Sequence, residues 1–188
     1  LNHNALNKLY LANDGTIYVG SLDGLFYIRD NEKGEIDDLR GLNINDIEID
    51  DYKNIWIAAE QGLFMVNVQN NEFKSFTDKD GLPGTQVSDL CFDHENSLWL
   101  STKKAGLVRL RDGSFINVGV NEGLSSNNVN IIVENKGRFF VGCDDGNVSI
   151  IDGNRVTSYE INTPNYNQGI RDIHFENDGE GFIANYQG

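Results

Sequence analysis

Carboxylates are the chemistry-bearing residues this sequence holds in quantity, with 29 Asp and Glu against 15 Lys and Arg. Two adjacent pairs, Asp50-Asp51 and Asp144-Asp145, invite a general acid–base reading. Neighbours on a strand point to opposite faces, so adjacency in sequence is poor geometry for that partnership. The histidines His3, His94 and His174 lie far apart and lack metal-ligand spacing. His94 sits in a polar turn and reads as a turn residue. Asp78-Lys79-Asp80-Gly81 opens like an oxygen-ligand cation loop, but its twelfth position falls at Asp89-Leu90, where no glutamate stands. It reads as a turn. No catalytic residue, metal site or cofactor is expected, and the chain itself is expected to be non-catalytic.

Any remaining chemistry is hydrogen bonding from loops, so the elements that place those loops decide the reading. Five stretches recur: Ile17-Tyr18-Val19-Gly20-Ser21, Ile55-Trp56-Ile57-Ala58-Ala59, Leu98-Trp99-Leu100-Ser101-Thr102, Phe139-Phe140-Val141-Gly142-Cys143 and Gly181-Phe182-Ile183-Ala184-Asn185. Their second residues fall roughly 40 positions apart, the period of four-stranded propeller blades. Each stretch is apolar at consecutive positions, as a strand covered on both faces must be. The aromatic residue is expected to fill the wedge between blades, so that Trp56→Ala or Trp99→Ala costs about 3–5 kcal/mol.

Before each such strand stands another with apolar residues at i, i+3 and i+5, as in Ile44 to Asp50, Val87 to Asp93 and Ile170 to Glu176. This is expected to be the innermost strand of a blade. Polar turns such as Asn13-Asp14-Gly15 and His94-Glu95-Asn96 join the two. A third strand opens on Gly24, Gly62 or Gly106. A polar fourth strand carries Ile36/Leu39, Phe73/Phe76, Phe115/Val118 or Val156/Tyr159, as suits an outer edge. Essentially no helix is expected.

The fold class expected is all-β, a partial β-propeller of four-stranded antiparallel blades, about four blades plus a half blade. Residues 1–188 form one domain, with blades at 1–41, 42–81, 82–123 and 124–163 and a half blade at 164–188. The pattern is cut at both ends, so the chain reads as a piece of something longer.

The net charge of −14 argues against nucleic acid, whose binding needs a basic face, and against anionic surfaces. Otherwise it reads as a solubility feature. No apolar run approaches 18 residues, so no membrane insertion is expected. Cys91 and Cys143 stand in different repeats without metal or disulfide spacing and read as free thiols.

The unit Gly123-Leu124-Ser125-Ser126-Asn127-Asn128-Val129, together with Leu98-Trp99-Leu100-Ser101-Thr102 and Gly106-Leu107-Val108-Arg109-Leu110 of the neighbouring copy, resembles the two-component regulator propeller repeat. That family carries Gly-Leu-Ser-(Asn)-x-x-Val, an acidic turn, Leu-Trp-Ile-Gly-Thr and Gly-Leu-x-Arg-Tyr. The resemblance covers nearly the whole chain, with each copy imperfect. It implies a periplasmic sensor region of a hybrid histidine kinase, of the kind found in gut Bacteroidetes. Such regions carry further propeller blades and signalling modules on the parent chain, and many respond to glycan fragments. Any kinase activity would belong to those modules.

In a four-stranded blade the loops between the second and third strands emerge on the same face as the links between blades. The former carry Asp23, Glu60, Gln61, Lys103, Lys104, Asp144 and Asp145. The latter carry Asn43 to Asn45, Thr85, Gln86, Ser126, Asn127, Asn128 and Asn165 to Gln168. The expected ligand-binding set is Glu60, Gln61, Gln86, Lys103, Lys104, Asn127, Asp144, Asp145 and Tyr166, the last as a stacking platform for an oligosaccharide. Asn127 and Asn128 can equally cap the turn into the strand. A purely structural or protein-interaction propeller, including a homodimer, is the alternative.

Overall fold

The structure, a computed structural model, describes residues 5–84, 86–161, 169–176 and 180–185. Among them the chain forms five antiparallel sheets. The first comprises β1 (Leu6–Leu11), β2 (Ile17–Ser21), β3 (Gly24–Arg29) and β4 (Glu32–Glu35). The second holds β5 (Ile44–Ile49), β6 (Ile55–Ala59), β7 (Gly62–Asn67) and β8 (Glu72–Phe76). The third holds β9 (Val87–Phe92), β10 (Leu98–Thr102), β11 (Gly106–Arg111) and β12 (Ser114–Val118). The fourth holds β13 (Val129–Asn135), β14 (Arg138–Cys143), β15 (Val148–Asp152) and β16 (Arg155–Tyr159). Two strands, β17 (Ile170–Phe175) and β18 (Gly181–Asn185), make the fifth. Strand order within each sheet follows the sequence. The first strands of successive sheets, β1, β5, β9, β13 and β17, contact one another in series. They therefore line a common axis, and the sheets fan outward from it as four propeller blades and the inner half of a fifth.

Each blade boundary is a separate apolar layer. Tyr18, Leu25 and Leu39 meet Ile44, Ile47 and Ile57 between the first two sheets. Ala58, Leu63 and Leu82 meet Val87, Leu90 and Leu100 between the next two. Trp99 and Leu107 meet Ile132, Phe139 and Val141 at the third boundary. Val148 meets Ile170 and Ile173 at the fourth. The penultimate position of each of these second strands is small (Gly20, Ala58, Ser101, Gly142) because the next blade's inner strand passes over it. A Cβ at Gly20 would stand 2.7 Å from Ile44 Cγ2, and one at Gly142 2.5 Å from Ile170 Cγ2.

The two tryptophans differ in role. Trp99 is buried and lies 4.6 Å, centroid to centroid, from Phe139 of the next blade, so it fills the wedge as expected. Trp56 is half-buried and stacks at 5.5 Å on Phe76 of its own blade, and it is Phe76 that reaches Phe115 of the next. Both indole N–H groups donate to an aspartate six residues earlier: Trp56 to Asp50 at 2.9 Å and Trp99 to Asp93 at 3.0 Å. The same aspartates accept backbone amides of the intervening turn, Tyr52 and Asn54 in one blade and Glu95 and Ser97 in the other. Asp50 is therefore a turn-closing residue.

Two expectations need correction. Ile36 and Leu39 do not belong to the fourth strand, because β4 ends at Glu35. Leu39 instead closes a single 3-10 turn, Asp37–Leu39, and is fully buried as a plug at the blade boundary. Matching 3-10 turns occur at Asp78–Asp80 and Val120–Glu122, so short helical turns stand where none was expected. Asp78 to Gly81 forms such a turn, capped by Thr77 and Asp80, and ends at Gly81 with φ +89°. Cys91 and Cys143 are free, the first half-buried on an inner strand and the second buried. Tyr166, with Thr85, His3 and Asn165 to Gln168, lies outside the described residues.

Candidate functional site at the mouth of the channel

Each inner strand carries a β-bulge near its start. The pairing register skips one residue between Leu6 and Lys8, Ile44 and Asp46, Val129 and Ile131, and Ile170 and Asp172; in the third blade it skips Ser88. A bulge frees one residue from the ladder and re-aims its side chain. Those residues are Asn7, Asn45, Ser88, Asn130 and Arg171. The first four act alike. Asn7 donates to Ile44 O at 2.8 Å, Asn45 to Val87 O at 2.8 Å, Ser88 to Val129 O at 3.0 Å and Asn130 to Ile170 O at 3.0 Å. Each of these four bulges thus clasps the first backbone carbonyl of the next blade's inner strand.

One residue deeper, the side chains point into the channel. Asp46 accepts the Leu90 amide at 2.8 Å, and Asp89 accepts the Ile132 amide at 2.8 Å, again one blade onward. Both carboxyl groups line the same cavity. Burial, and then the Asp46 charge, push the Asp89 carboxyl well above the ordinary range. Lys8 from β1 ion-pairs with Asp46. Burial works against the Lys8 ammonium, but the adjacent carboxylate outweighs it and its pKa stands above the ordinary lysine value. Below them burial, reinforced by Asp46, raises Glu48 to about 7.

Lys8, Asp46 and Asp89 floor an open cavity of about 660 Å³ at the channel mouth. Its walls carry Asn45, Glu60, Ser88, Lys103, Asn130 and Arg171. The expected convergence of loops is present in the backbone: Gly41 N donates to Asp23 O, Glu60 N to Asn43 O, Lys103 N to Gln86 O and Asp144 N to Asn128 O. In each of the four blades, then, the loop after the second strand is tied to a link between blades.

The nine residues expected to bind a ligand separate into groups. Glu60 and Lys103 line the cavity. Gln86 donates to Glu60 Oε2 at 2.8 Å and holds that carboxylate in place, with Asn45 at 3.4 Å from Oε1. Lys103 donates to Asn130 Oδ1. Asp144 accepts from Ser126 Oγ at 3.0 Å and stays exposed on the rim. Gln61, Asp145 and Asn127 do local structural work. Gln61 accepts the Asn43 amide, and Asp145 accepts the Asn147 amide. Asn127 accepts the Val120 amide, which ties it back to the 3-10 turn rather than forward to the strand. Lys104 is an exposed turn residue at φ +90°. The inner-strand residues Asn7, Lys8, Asp46, Ser88, Asp89, Asn130 and Arg171 were not among the nine. A signal for them exists: the second and third positions of each inner strand are polar in nearly every copy, where a strand buried in a sheet would be apolar.

The fold and the polar channel mouth define a segment of a β-propeller. The repeat is of a particular kind: residues 81–104 match the family model described as two component regulator propeller. No curated protein sequence matches the chain. Among solved structures, one described as the extracellular domain of a putative hybrid two component system from B. thetaiotaomicron superposes with a TM-score of 0.84 at 18% identity, covering 98% of this chain and 27% of that one. A second extracellular domain of the same description and organism gives 0.78 at 19% identity, covering 97% and 28%. A streptogramin B lyase gives 0.72 at 13% identity, covering 97% and 69%. At these identities the likeness is one of fold. The chain spans little more than a quarter of the length of the two extracellular domains.

Proposed function

We propose that this chain is a ligand-sensing part of the extracytoplasmic, periplasmic region of a two-component sensor, non-catalytic in itself, with an oligosaccharide as its input. The observation that carries this reading is the cavity at the channel mouth, where amides, a hydroxyl and a carboxylate are fixed on inner strands rather than on loops alone. Sugar hydroxyls both donate and accept, and around one opening Asn45, Ser88 and Glu60 offer acceptor oxygens while the Lys103 ammonium offers donors. The repeat match and the extracellular neighbours support the sensor context. No helix among the described residues is long and apolar enough to cross a membrane. Asp46 and Asp89 each hold a backbone amide of the next blade's inner strand. A ligand shifts such a receptor by binding its two signalling states unequally. Strands that share one channel offer a rigid route to that difference.

Calorimetric titration with a panel of neutral and acidic oligosaccharides tests the reading, with Glu60→Ala and Asn45→Ala as site variants. The expected result is binding that either substitution weakens at least tenfold. Binding of no saccharide, or binding indifferent to both substitutions, overturns it.

The structural alternative is favoured by a different observation. Leu9 and Leu11 on the outer face of the first blade are 63% and 71% exposed, and Phe182 at the other end is 54% exposed. Faces of this kind pack on further blades or on a second copy of the chain.

A further inference from the structure

The second and third blades share one plan but close differently over their tryptophans. In the third, Arg109 stands opposite Trp99 in the ladder, lies 5.3 Å from the ring and ion-pairs with Asp93 at 3.0 Å. Phe139 of the next blade packs on the same indole at 4.6 Å. In the second, Met65 stands opposite Trp56, and Leu98 takes the place of Phe139. A neighbouring pair differs too. Arg111 holds Glu95 of the preceding turn at 2.7 Å, as Arg29 holds Asp14 at 3.4 Å in the first blade. The equivalent positions in the second blade are Asn67 and Tyr52, and β7 carries no Lys or Arg.

The aspartate stays where its arginine is gone. Asp50 accepts the Trp56 indole N–H, the amides of Tyr52 and Asn54, and the Asn54 side chain, all of them uncharged. Asn54 replaces the hydrogen bond that Arg109 gives Asp93, but not its charge. The second boundary is left with an open groove of about 740 Å³, lined by Tyr52, Trp56, Phe76 and Leu98. Tyr52 is 77% exposed at its rim. The groove's turns follow the ends of β5 and β9, whose starts are at the channel mouth, so it opens away from that mouth. The two cations that line it are already matched, Lys74 by Glu72 and Arg111 by Glu95. Asp50 and Asp80 line it as well, and neither ion-pairs with a described residue. An indole held in place, an exposed phenol and a surplus of negative charge therefore share one groove.

We propose that this groove receives an arginine side chain from a peptide segment of another protein, its guanidinium over Trp56 and beside Tyr52, supplying from outside what Arg109 supplies within the third blade. A guanidinium is planar, weakly hydrated and stacks on aromatic faces, and the surplus carboxylates favour its charge. Trp, Tyr and Arg are also the residue types on which protein contacts concentrate their energy. The site is separate from the channel mouth and stands without the sensing reading.

The two tryptophans give two indole N–H signals in a nitrogen–proton correlation spectrum of the full chain, and Trp56→Phe assigns them. An acetylated, amidated Gly-Arg-Gly peptide is titrated beside its citrulline counterpart, which keeps the shape and loses the charge. The arginine peptide is expected to shift the Trp56 signal, to leave the Trp99 signal in place and to bind about fivefold more tightly than the citrulline peptide. Met65→Arg, which restores the guanidinium within the blade, is expected to abolish the peptide-induced shift. Tyr52→Ser, at an exposed turn position, is expected to weaken binding and keeps the test decisive where Met65→Arg folds poorly. No shift of the Trp56 signal at millimolar arginine peptide overturns the proposal. Equal binding of the citrulline peptide overturns it too, since charge then plays no part, as does binding that survives both substitutions. A Trp56 shift caused by a neutral oligosaccharide and not by the arginine peptide would make the groove a sugar site instead.

Discussion

The carboxylate of Asp46 accepts the amide proton of Leu90 at 2.8 Å across a blade boundary, although the two residues are 44 positions apart. Asp46 is only 1% exposed, and its other oxygen meets Lys8 from the blade before. One side chain therefore joins three consecutive blades at the channel wall. Alanine at this position would leave a buried amide without an acceptor and a half-buried ammonium without its partner. Asp46→Ala is expected to destabilise the chain by about 3 kcal/mol. Asp89→Asn, which keeps an acceptor for Ile132 and imitates the protonated acid, should cost less than about 1 kcal/mol. Urea denaturation of the two variants checks the asymmetry. Equal losses would mean that Asp89 is ionised in the folded chain.

The same cluster sets the pH response. The Glu48 carboxyl has a folded pKa of about 7, above its unfolded value of about 4.5. The folded state therefore holds a proton that the unfolded state has released, and stability falls as pH rises from about 4.5 through 7. Asp93 acts in the opposite sense. Burial alone would raise its pKa, but hydrogen bonds from Trp99 and the Ser97 amide, with the Arg109 charge, hold it below the ordinary value. Its contribution is present above the unfolded pKa and is lost on acidification. The melting temperature should peak near pH 5 and decline on both sides. Glu48→Gln should make the alkaline limb shallower and leave the acid limb unchanged, the remaining slope belonging to Asp89, whose raised carboxyl pKa acts in the same sense, and a thermal scan from pH 4 to 8 measures it.

The tryptophans should separate although they occupy equivalent places. Trp99 is 6% exposed, bridges two blades and lies 5.3 Å from the Arg109 guanidinium. Trp99→Ala is expected to cost about 4 kcal/mol. Trp56 packs within its own blade and is partly open to solvent. Its replacement by alanine should cost roughly half as much. Parallel denaturant titrations decide the order, and a larger loss at Trp56 would mean that the second boundary depends on it more than its exposure indicates.

Much of the architecture was legible in the residues because it rests on period and type. The roughly 40-residue spacing of Tyr18, Trp56, Trp99 and Phe140, the apolar runs around them and the polar turns before them are all local signals. Ile36 and Leu39 misled because a spacing of three apolar positions suits both a loose edge strand and a 3-10 turn, and only packing against the next blade separates them. The site was half legible. Glu60, Lys103 and Gln86 could be placed by asking which loops share a face. Asn45 also fell on that face, but the bulged Asn7, Ser88 and Asn130 could not be placed, because the side-chain direction of a bulge depends on pairing with another strand. Asp46 and Asp89, 43 residues apart, become neighbours only once the blades curve around an axis.

The clasps at the bulges bear on how such a chain can change over time. Each reaches a main-chain oxygen of the following blade, and every residue type supplies that oxygen. The joint makes no demand on which amino acid stands opposite it; it asks only for one small polar donor at its own position. Successive repeats are free to diverge on their exposed faces, be copied or be exchanged without relearning how to dock. The imperfect likeness among the five copies is what a joint of that kind permits.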